Sequence, residues 1–274
     1  MLVADKSLSD LPTVAERDKT TTQGAGLRSR LAAGASVFGT FLKIPASVPA
    51  ELAGYAGFDF CIIDLEHSPF SFERAEDIVR AAQGAGAAAI IRTFDGQPST
   101  LVRALDTGCD GILVPNLKSR AEAEMVVRGA RFHPLGERGM DPHARSARYR
   151  TIPKEVYFAE ANDRTVLGVQ IEGVTGVQNL DAIANVQGID LIFIGPYDLS
   201  QSLGVPGQLN APAVVEAVQD IVTGVRARGK AVGIYADNVE EARRWRDLGI
   251  QFVAISVDVY VYLKACQAIV DALR

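Results

Sequence analysis

The sequence predicts a closed (β/α)8 barrel, and three observations favour this fold. Eight short, nearly continuous apolar runs alternate with segments in which apolar residues recur at helical spacing; such strands are typical of parallel sheets covered on both faces. The chain has 274 residues, a length at which these barrels commonly form one domain. No G-x-G-x-x-G segment follows the first strand, which disfavours the alternative, an open doubly wound sheet.

The eight predicted strands occur in order along the chain, with helical segments between them. They span residues 36–44, 60–67, 87–94, 111–117, 165–173, 191–200, 231–237 and 252–258. The segment "LRSRLAAG" predicts a helix before the first strand, and a glycine often ends the later helices. The apolar final helix, "VYLKACQAIVDAL", is compatible with an ordinary last barrel helix and with one that extends or exchanges between subunits.

Composition and charge narrow the domain organisation and the partners. We expect residues 27–274 to form one barrel domain and residues 1–26, which are polar and Thr-rich, to form a flexible tail. The net charge of −5 does not indicate binding to nucleic acid or an anionic membrane. Three scattered cysteines and no secretory segment predict a cytoplasmic protein with reduced thiols. The expected partners are therefore small molecules and copies of the chain.

Polar residues cluster at the carboxyl ends of the predicted strands, where barrel enzymes carry their reactive groups. Four strands deliver such side chains: Asp64, Glu66, His67, Arg92, Gln170, Glu172 and Asp198. Gln170 and Glu172 are two positions apart and therefore point to the same side of their strand. With Asp198 on the neighbouring strand, two carboxylates and no cysteine form a hard oxygen site that suits Mg²⁺ or Mn²⁺. Alternatively, Glu172 and Asp198 pair with Arg92 in an internal ion network.

One interval, residues 118–164, is too long for a simple crossover between strands. It carries Gly, Pro, Arg and His, and loops of this length in compact domains are often functional. Arg138 and His143 in this loop, with Asp64 and Glu66 near the second strand, are therefore candidates for supporting the site.

Several motifs of the chain resemble those of the HpcH/HpaI family. The motifs are "GFDFCIIDLEHSPF", "IIRTF", "LVRALDTGCDGILVPNLKS", "GERG", "VQIEG" and "GIDLIFIGPYDLSQSLG", and they come in the family's order and spacing from about residue 28 to the C-terminus. Members are class II, metal-dependent pyruvate aldolases related to citrate lyase β-like barrels. The resemblance implies the same barrel, and homo-oligomers that are typically hexamers of dimers with exchanged C-terminal helices.

The family pattern implies a metal and substrate site on the fifth and sixth strands. Glu172 in "QIE" and Asp198 in "GPYDLS" match the residues that hold a divalent metal, which would be Mg²⁺, Mn²⁺ or Co²⁺. A 2-oxo acid would chelate this metal through its carboxylate and keto oxygens. Gln170 matches a glutamine beside the metal. The resemblance places the substrate carboxylate at the backbone of Gly195, Pro196 and Tyr197.

The same pattern implies the acid–base residues. Arg92 matches the arginine that contacts the keto or enolate oxygen, and His67 matches a histidine that acts as acid and base through water. Asp106 in "RALDTG" matches the aspartate that orients this histidine. Asp64 and Glu66 are expected to position Arg92, the metal waters or a neighbouring loop.

These residue types suit the chemistry of an aldolase. Breaking a C–C bond beta to a carbonyl leaves an enolate, whose negative charge a divalent cation and a guanidinium can stabilise. A histidine can remove the proton of the 4-hydroxyl group and return it in the reverse direction. The expected reaction cleaves or forms the bond between a pyruvate-type enolate and an aldehyde. Its expected substrates are 4-hydroxy-2-oxo acids or 2-dehydro-3-deoxy sugar acids.

Three other interpretations stay open. One is biosynthetic condensation with another 2-oxo acid or acceptor, of the citrate-forming or natural-product type. A second is a non-catalytic barrel that binds an oxo acid. A third is a Schiff base on Lys43 in "FLKIP". Class I pyruvate aldolases usually carry that lysine on the sixth strand, however, and "LIFIGPYDLS" has none.

Two departures from the family pattern concern the aldehyde acceptor. Many members read "GPADLS", whereas Tyr197 takes the place of the alanine here. The family loop "GxRGVGG…ARA" reads "GERGMDPHARSARY" here, so Asp141, Pro142 and His143 replace small residues. Because the aldehyde is expected to enter near this loop, we predict that these three residues change the acceptor pocket.

Overall fold

The computed structural model describes residues 26–274, which form a closed barrel of eight parallel strands. Each strand pairs with the next along the chain, and β8 closes the barrel against β1. The strands are β1 (Val37–Leu42), β2 (Phe60–Asp64), β3 (Ala88–Arg92), β4 (Gly111–Val114), β5 (Val166–Ile171), β6 (Leu191–Ile194), β7 (Ala231–Ala236) and β8 (Phe252–Val257). The predicted fold class and the eight predicted strands are confirmed. The predicted tail, apart from Gly26, lies outside the described residues.

Helices connect the strands, and the first of them precedes β1 as predicted. They are α1 (Leu27–Ala32), α2 (Val48–Ala56), α3 (Phe72–Gly84), α4 (Pro98–Asp106), α5 (Arg120–Ala130), α6 (Lys154–Arg164), α7 (Val174–Gln178), α8 (Leu180–Ala184), α9 (Pro196–Ser202), α10 (Pro212–Arg226), α11 (Val239–Asp247) and α12 (Asp258–Leu273). Side chains of Ser71, Ser119 and Asn238 accept hydrogen bonds from the first turns of α3, α5 and α11. Such caps satisfy backbone N–H groups that lack a partner within the helix.

The predicted strands 60–67, 111–117 and 191–200 are each at least three residues too long at their carboxyl ends. β2 stops at Asp64, and the residues after it turn across the rim of the barrel. β6 stops at Ile194, and Pro196 begins α9. Proline is well suited to the first helical position because its φ is already helical and no N–H partner is needed there. Several of the predicted site residues therefore lie on the rim, beyond the paired part of the strands.

Apolar side chains fill the inside of the barrel. Phe60 and Phe252 stack there with ring centroids 3.7 Å apart. Gly39 lies against this pair, since a Cβ at residue 39 would come within 2.3 Å of the Phe60 ring. A second, larger apolar layer lies between the strands and the helices. The filled interior separates the two ends of the barrel, so a side chain at one end does not reach the other.

The long segment between α5 and β5 lies at the amino-terminal end of the strands. Arg145 in this segment donates to the carbonyl oxygen of Thr107 (2.6 Å) and to Oε1 of Gln83 (3.0 Å). Both partners come shortly before a strand begins, at β4 and at β3. The prediction that residues 141–143 lie near the acceptor is therefore wrong for a pocket formed within one chain. The segment leads into β5, so it meets the barrel at the end opposite the carboxyl rim.

The last helix, α12, follows β8 and buries none of its residues. Its exposed apolar side chains are Val259, Tyr260, Val261, Tyr262, Leu263, Ile269, Val270 and Leu273. Asp258, its first residue, accepts hydrogen bonds from the backbone N–H groups of Lys43 and Ile44 at 2.9 Å each. These bonds fix the start of α12 to the end of β1, and exchange of the helix between subunits stays a prediction. Within residues 26–274, no helix is long and apolar enough to cross a membrane.

Candidate active site

A cavity of about 320 Å³ opens at the carboxyl ends of the strands. The structure brings together in its lining most of the residues predicted for the site: His67, Arg92, Gln170, Gly195, Pro196, Tyr197 and Asp198. The remaining lining residues are Lys43 and four that the sequence reasoning missed, Phe41, Phe193, Tyr235 and Val257. The missed residues are apolar or aromatic, and only barrel closure shows that they face the same space.

Asp64, at the end of β2, organises one side of this cavity. It is fully buried and accepts two hydrogen bonds from Arg92, Nε to Oδ1 at 2.9 Å and Nη2 to Oδ2 at 2.8 Å. The ammonium group of Lys43 lies 3.5 Å from Oδ2. Oδ1 also accepts from the backbone N–H groups of Glu66 and His67 at 3.2 Å. Asp64 therefore holds the arginine and shapes the turn that carries the histidine.

Arg92 forms ion pairs with acidic residues on its own side of the barrel. Besides Asp64, its Nη1 lies 3.3 Å from Oε2 of Glu66, and its guanidinium lies over the Phe41 ring at 4.9 Å from the centroid. In the described part of the chain its ion pairs are thus with Asp64 and Glu66. The alternative in which Glu172 and Asp198 pair with Arg92 is not the arrangement observed.

The pKa values of the two acids beside Arg92 shift in opposite directions. Burial by itself raises the pKa of Asp64, but the hydrogen bonds and charge of Arg92 outweigh burial and leave that pKa below its ordinary value. Burial raises the pKa of Glu66 above its ordinary value, although Arg92 and His67 oppose the shift. Asp64 is therefore the ionised counter-ion of Arg92, whereas the carboxylate of Glu66 takes up a proton more readily.

His67 is the exposed member of the group. Its side chain is 55% exposed, and Nε2 lies 3.6 Å from Oε2 of Glu66. The imidazole faces the cavity from the turn after β2. This position leaves it free to exchange protons with water and with a bound molecule.

The structure does not bring Asp106 to His67 within one chain. Asp106 is the last residue of α4, which runs from the rim back to the amino-terminal end of the barrel. There its Oδ1 accepts a hydrogen bond from Nη2 of Arg138 at 2.7 Å. His143 is exposed in the same region, 3.5 Å from Asp141. The predicted orienting contact is therefore absent from the described chain, and Arg138 and His143 do not support this cavity within the chain.

Gln170 lines the buried part of another side of the cavity, and Glu172 lies behind it without lining the cavity itself. The side-chain amide of Gln170 donates to Oε2 of Glu172, and both residues are buried. Burial, and then the negative charges of Asp198 and Glu66, raise the pKa of Glu172 to about 7. Asp198 itself is exposed in the first turn of α9. A buried carboxyl group whose pKa is raised by neighbouring negative charges belongs to a site that favours a positive charge.

Two further observations fit a cation at this place. Oε1 of Gln170 is buried without a hydrogen-bond partner, although buried acceptors are nearly always satisfied. A Cβ on Gly195 would come within 2.5 Å of Oε2 of Glu172 and 2.6 Å of Nε2 of Gln170, so the glycine leaves the space beside them open. Among residues 26–274, no three His, Cys, Asp or Glu side chains are grouped to hold a metal ion. Two carboxylates, Glu172 and Asp198, with the amide oxygen of Gln170 still fit a cation such as Mg²⁺. This ion commonly takes one or two carboxylates and completes its shell with water and substrate.

Asp237 is a further polar residue at the rim that the sequence reasoning missed. It follows β7 directly, and its Oδ2 accepts a hydrogen bond from the hydroxyl of Tyr197 at 2.7 Å. Burial, and then the negative charge of Asp237, raise the pKa of the nearby Tyr235 phenol above its ordinary value. The rule that identified the other site residues, a polar residue at the end of a predicted strand, also applies to Asp237.

A larger cavity, of about 640 Å³, lies at the amino-terminal end of the barrel. Its charged lining residues are Arg28, Asp190, Arg226, Arg228 and Lys230. Most of these cations have structural partners: Arg28 donates to Asp190 at 2.8 Å, and Lys230 donates to backbone carbonyl oxygens. We place the active site in the smaller cavity, because only there do carboxylates, an arginine and a histidine converge.

Comparison with known proteins identifies the family. The sequence matches the model of the HpcH/HpaI aldolase/citrate lyase family over residues 38–265. The chain belongs to the HpcH/HpaI family. This family member is 34% identical over 247 residues to a 5-keto-4-deoxy-D-glucarate aldolase of Escherichia coli (strain K12), covering 90% of this chain and 96% of the relative. It is 35% identical over 248 residues to a hydroxypyruvate/pyruvate aldolase of Pseudomonas aeruginosa, covering 90% and 92%.

Solved structures of the HpcH/HpaI family share this barrel. The crystal structure of a family protein from Burkholderia cenocepacia J2315 superposes with a TM-score of 0.86 at 30% identity, covering 90% of this chain and 98% of that one. Family membership and the aldolase relatives together make this HpcH/HpaI protein an aldolase, a carbon–carbon lyase.

Proposed function

We propose that this aldolase joins a pyruvate-type enolate reversibly to an aldehyde at the carboxyl rim, with 4-hydroxy-2-oxo acids as the product class. The observation that carries the proposal is the arrangement around one cavity. Arg92, fixed by Asp64, lies on one side, the Gln170, Glu172 and Asp198 group lies on the other, and His67 is at the mouth. The oxo-acid substrates in the names of both relatives support the same class.

Glu172 and Asp198 would hold a divalent cation, Mg²⁺, Mn²⁺ or Co²⁺, with the unpartnered Oε1 of Gln170 beside it. When bound, such a cation supplies Lewis-acid stabilisation of the charge that develops on the oxo acid. Bringing the two carboxylates together costs free energy through repulsion and desolvation, and a cation offsets this cost. The backbone of Gly195 and Pro196, at the start of α9, is placed to receive the carboxylate of the oxo acid.

Arg92 would supply the second positive charge to the enolate oxygen. Its Nε and one Nη2 hydrogen are engaged by Asp64, and Nη1 lies 3.3 Å from Glu66. The second Nη2 hydrogen and one Nη1 hydrogen are left for a bound molecule. Because Asp64 and the Phe41 ring fix the guanidinium, little reorganisation is needed when charge develops nearby.

His67 would move the proton of the 4-hydroxyl group, directly or through one water molecule. In the cleavage direction the imidazole accepts this proton as the C–C bond breaks, and in condensation it returns it. Within the chain, Glu66 is the carboxylate beside the ring, at 3.6 Å. We propose no role for Asp106 in orienting the ring within a single chain, because Asp106 lies at the far end of the barrel.

Decarboxylation of oxaloacetate tests this function without a choice of aldehyde, since loss of CO₂ produces the same enolate. We expect turnover by protein that has been stripped of metal and reconstituted with Mg²⁺ or Mn²⁺, and loss of turnover after chelation. Glu172→Gln and Asp198→Asn should each lower kcat about 100-fold or more. Glu155→Gln, which changes an exposed carboxylate on α6, is the matched control and should leave kcat unchanged.

Two results of this experiment would reject the proposal. Unaltered decarboxylation by Glu172→Gln and Asp198→Asn would exclude the proposed cation site. Oxaloacetate binding without turnover would favour the non-catalytic barrel. Borohydride reduction in the presence of pyruvate tests the Schiff-base alternative, and a covalent adduct on Lys43 would support that mechanism instead.

We further propose that the protein is a cytoplasmic homo-oligomer in which α12 contacts another copy. Its apolar side chains, including Tyr262, Leu263 and Ile269, are more than half exposed in the single chain. Contiguous exposed apolar surface of this kind is typical of interfaces between subunits. A hexamer is the assembly expected from the family resemblance.

A further inference from the structure

We infer that the aldehyde acceptor is apolar or aromatic, and that Tyr197, held by Asp237, and the neighbouring Tyr235 select it. This inference rests on the aldolase function proposed above and names the substrate class of the second reactant. It concerns the side of the rim cavity formed by β6, the start of α9, β7, β8 and β1, whose lining residues are Phe193, Tyr197, Tyr235, Val257 and Phe41.

The two tyrosines form one rigid unit at this side of the cavity. Their rings lie 6.0 Å apart at 54°, and the Tyr197 hydroxyl donates a hydrogen bond to Asp237 at 2.7 Å. The backbone N–H of Asp237 in turn donates to Glu241 in the first turn of α11 at 3.0 Å. Three neighbouring elements therefore hold the pair: β7, the start of α9 and the start of α11.

Contacts of the two tyrosines decide which part of each one faces a bound molecule. Asp237 engages the Tyr197 hydroxyl, and the Tyr235 ring packs against the rings of Tyr197 and Phe41. The rings therefore present mainly carbon atoms to the cavity. Their contribution is an apolar surface.

Other apolar groups extend this surface across the cavity floor. The Phe41 ring meets the Tyr235 ring edge-on at 6.0 Å and the Phe193 ring at 6.2 Å. Val257 completes the lining on β8. An oxo acid bound at Arg92 and at the proposed cation site would thus have its reacting carbon facing aromatic and aliphatic side chains.

The charges on this side do not favour an acceptor that carries a second carboxylate. The nearest cation, Lys43, lies 3.5 Å from the buried carboxylate of Asp64. Asp237 adds a negative charge behind the tyrosines. At about 320 Å³ the cavity lies at the lower end of the range for small-molecule sites, which suits an oxo acid together with an acceptor of the size of benzaldehyde or butanal.

The reaction with such an acceptor balances without a further reactant. Pyruvate first gives a methyl proton to His67 or water and becomes the enolate. The enolate carbon then gives its electron pair to the aldehyde carbon, and a C–C bond forms. The π pair of the aldehyde moves to its oxygen, which takes a proton from His67 or water. The product is a 4-hydroxy-2-oxo acid with an apolar substituent on C4, and cleavage returns both reactants.

The test measures aldol addition of pyruvate by the metal-loaded full chain with four aldehydes. Benzaldehyde and butanal are the apolar acceptors, glycolaldehyde is the polar one, and succinic semialdehyde carries a carboxylate. We expect kcat/KM to be at least about tenfold higher for the apolar pair. In Tyr197→Ala, Tyr235→Ala and Asp237→Ala this preference should fall about tenfold, mainly through a higher KM for the apolar aldehyde.

Tyr197→Phe and Tyr55→Ala are the comparison variants. Tyr197→Phe keeps the ring and should retain most of the preference. Tyr55 is an equally exposed tyrosine on α2, and its removal should leave the preference unchanged. Because the readout is a ratio between aldehydes in one preparation, a partial loss of folded protein does not alter it.

Two outcomes would overturn the inference, and a third would overturn the function beneath it. A wild-type preference for succinic semialdehyde or glycolaldehyde contradicts an apolar acceptor, whatever the variants do. An unchanged preference in all three alanine variants contradicts selection by the tyrosine pair. Absence of oxaloacetate decarboxylation by the wild-type protein rejects the aldolase mechanism itself, and so is distinguishable from a wrong acceptor.

Discussion

A single buried carboxylate, Asp64, determines where Arg92 and the turn that carries His67 lie. It accepts two hydrogen bonds from Arg92 and two from the backbone of the turn after β2. A buried ion pair is not by itself a strong source of stability, but removing one partner leaves an uncompensated charge. Asp64 therefore links the stability of the rim to the position of the arginine.

We expect Asp64→Asn to cost about 3–5 kcal/mol of unfolding free energy, because Arg92 stays buried without its counter-ion. Urea unfolding measures this cost, and oxaloacetate turnover should fall as well. Asp77→Asn is the control, since Asp77 also pairs with arginines but at an exposed site on α3. Its cost should stay below about 1 kcal/mol. Equal costs for the two variants would contradict the role given to Asp64.

The stability difference between wild type and Asp64→Asn should also depend on pH. The folded pKa of Asp64 is lowered, so below its unfolded value of about 3.9 the unfolded chain binds a proton that the folded chain does not. The contribution of Asp64 is therefore complete above that value and is lost as the pH falls through the folded pKa. Urea midpoints for both proteins between pH 3 and 7 should converge at the acid end. A difference that stays constant to pH 3 would contradict the lowered pKa.

The turn from β6 into α9 shows how an element boundary shapes the site. β6 ends at Ile194, Gly195 passes beside Glu172 and Gln170, and Pro196 starts the helix that carries Asp198. The glycine lets this turn approach β5 closely, because any Cβ would occupy the space beside the Glu172 carboxylate. The distance between the two proposed metal ligands is thus set by the backbone of this turn.

Gly195→Ala should therefore weaken Mn²⁺ binding about tenfold or more, since the new Cβ would lie within 2.5 Å of Oε2 of Glu172. Isothermal titration calorimetry with the metal-stripped protein measures this loss without reference to turnover. Gly173→Ala is the matched control, because its Cβ would meet its nearest neighbour, Ser202, at 3.6 Å. We expect that control to bind Mn²⁺ as the wild type does. Wild-type affinity in Gly195→Ala would argue against a cation at this place.

The two ends of the barrel carry different residues, and the last helix, α12, has no buried face. Acids, Arg92 and His67 converge at the carboxyl rim, whereas Asp106, Arg138 and the segment 131–153 lie at the other end. α12 buries none of its 16 residues in the single chain. An apolar helix of that length is stable in water only if another surface covers it.

We expect the double substitution Tyr262→Asp and Ile269→Asp to reduce the assembly to smaller species, because both side chains are exposed on α12. Size-exclusion chromatography with light scattering measures the mass. Val239→Asp changes an exposed apolar residue on α11 and serves as the control. A wild-type protein that elutes as a monomer, or a double variant with unchanged mass, would contradict an interface on α12.

The sequence by itself determined the fold and which residues gather at the rim. Apolar runs mark the strands, and in a parallel barrel the carboxyl ends of all strands meet at one end. The position of a residue just after a run, as for Asp64, Arg92 and Asp198, was therefore enough to place it. Three predicted strands, 60–67, 111–117 and 191–200, extend too far, because a turn or a helix start at the rim leaves a weak signal in hydrophobicity.

Only the tertiary structure decided which side chains contact one another. Tyr197 and Asp237 are 40 residues apart in the chain, and no sequence spacing pairs them. The predicted contact between Asp106 and His67 is likewise absent within the chain, because Asp106 ends α4 at the amino-terminal end of the barrel, whereas His67 lies at the carboxyl rim. Contacts depend on distances across a closed barrel, and these exist only once the sheet has closed and its interior has been filled.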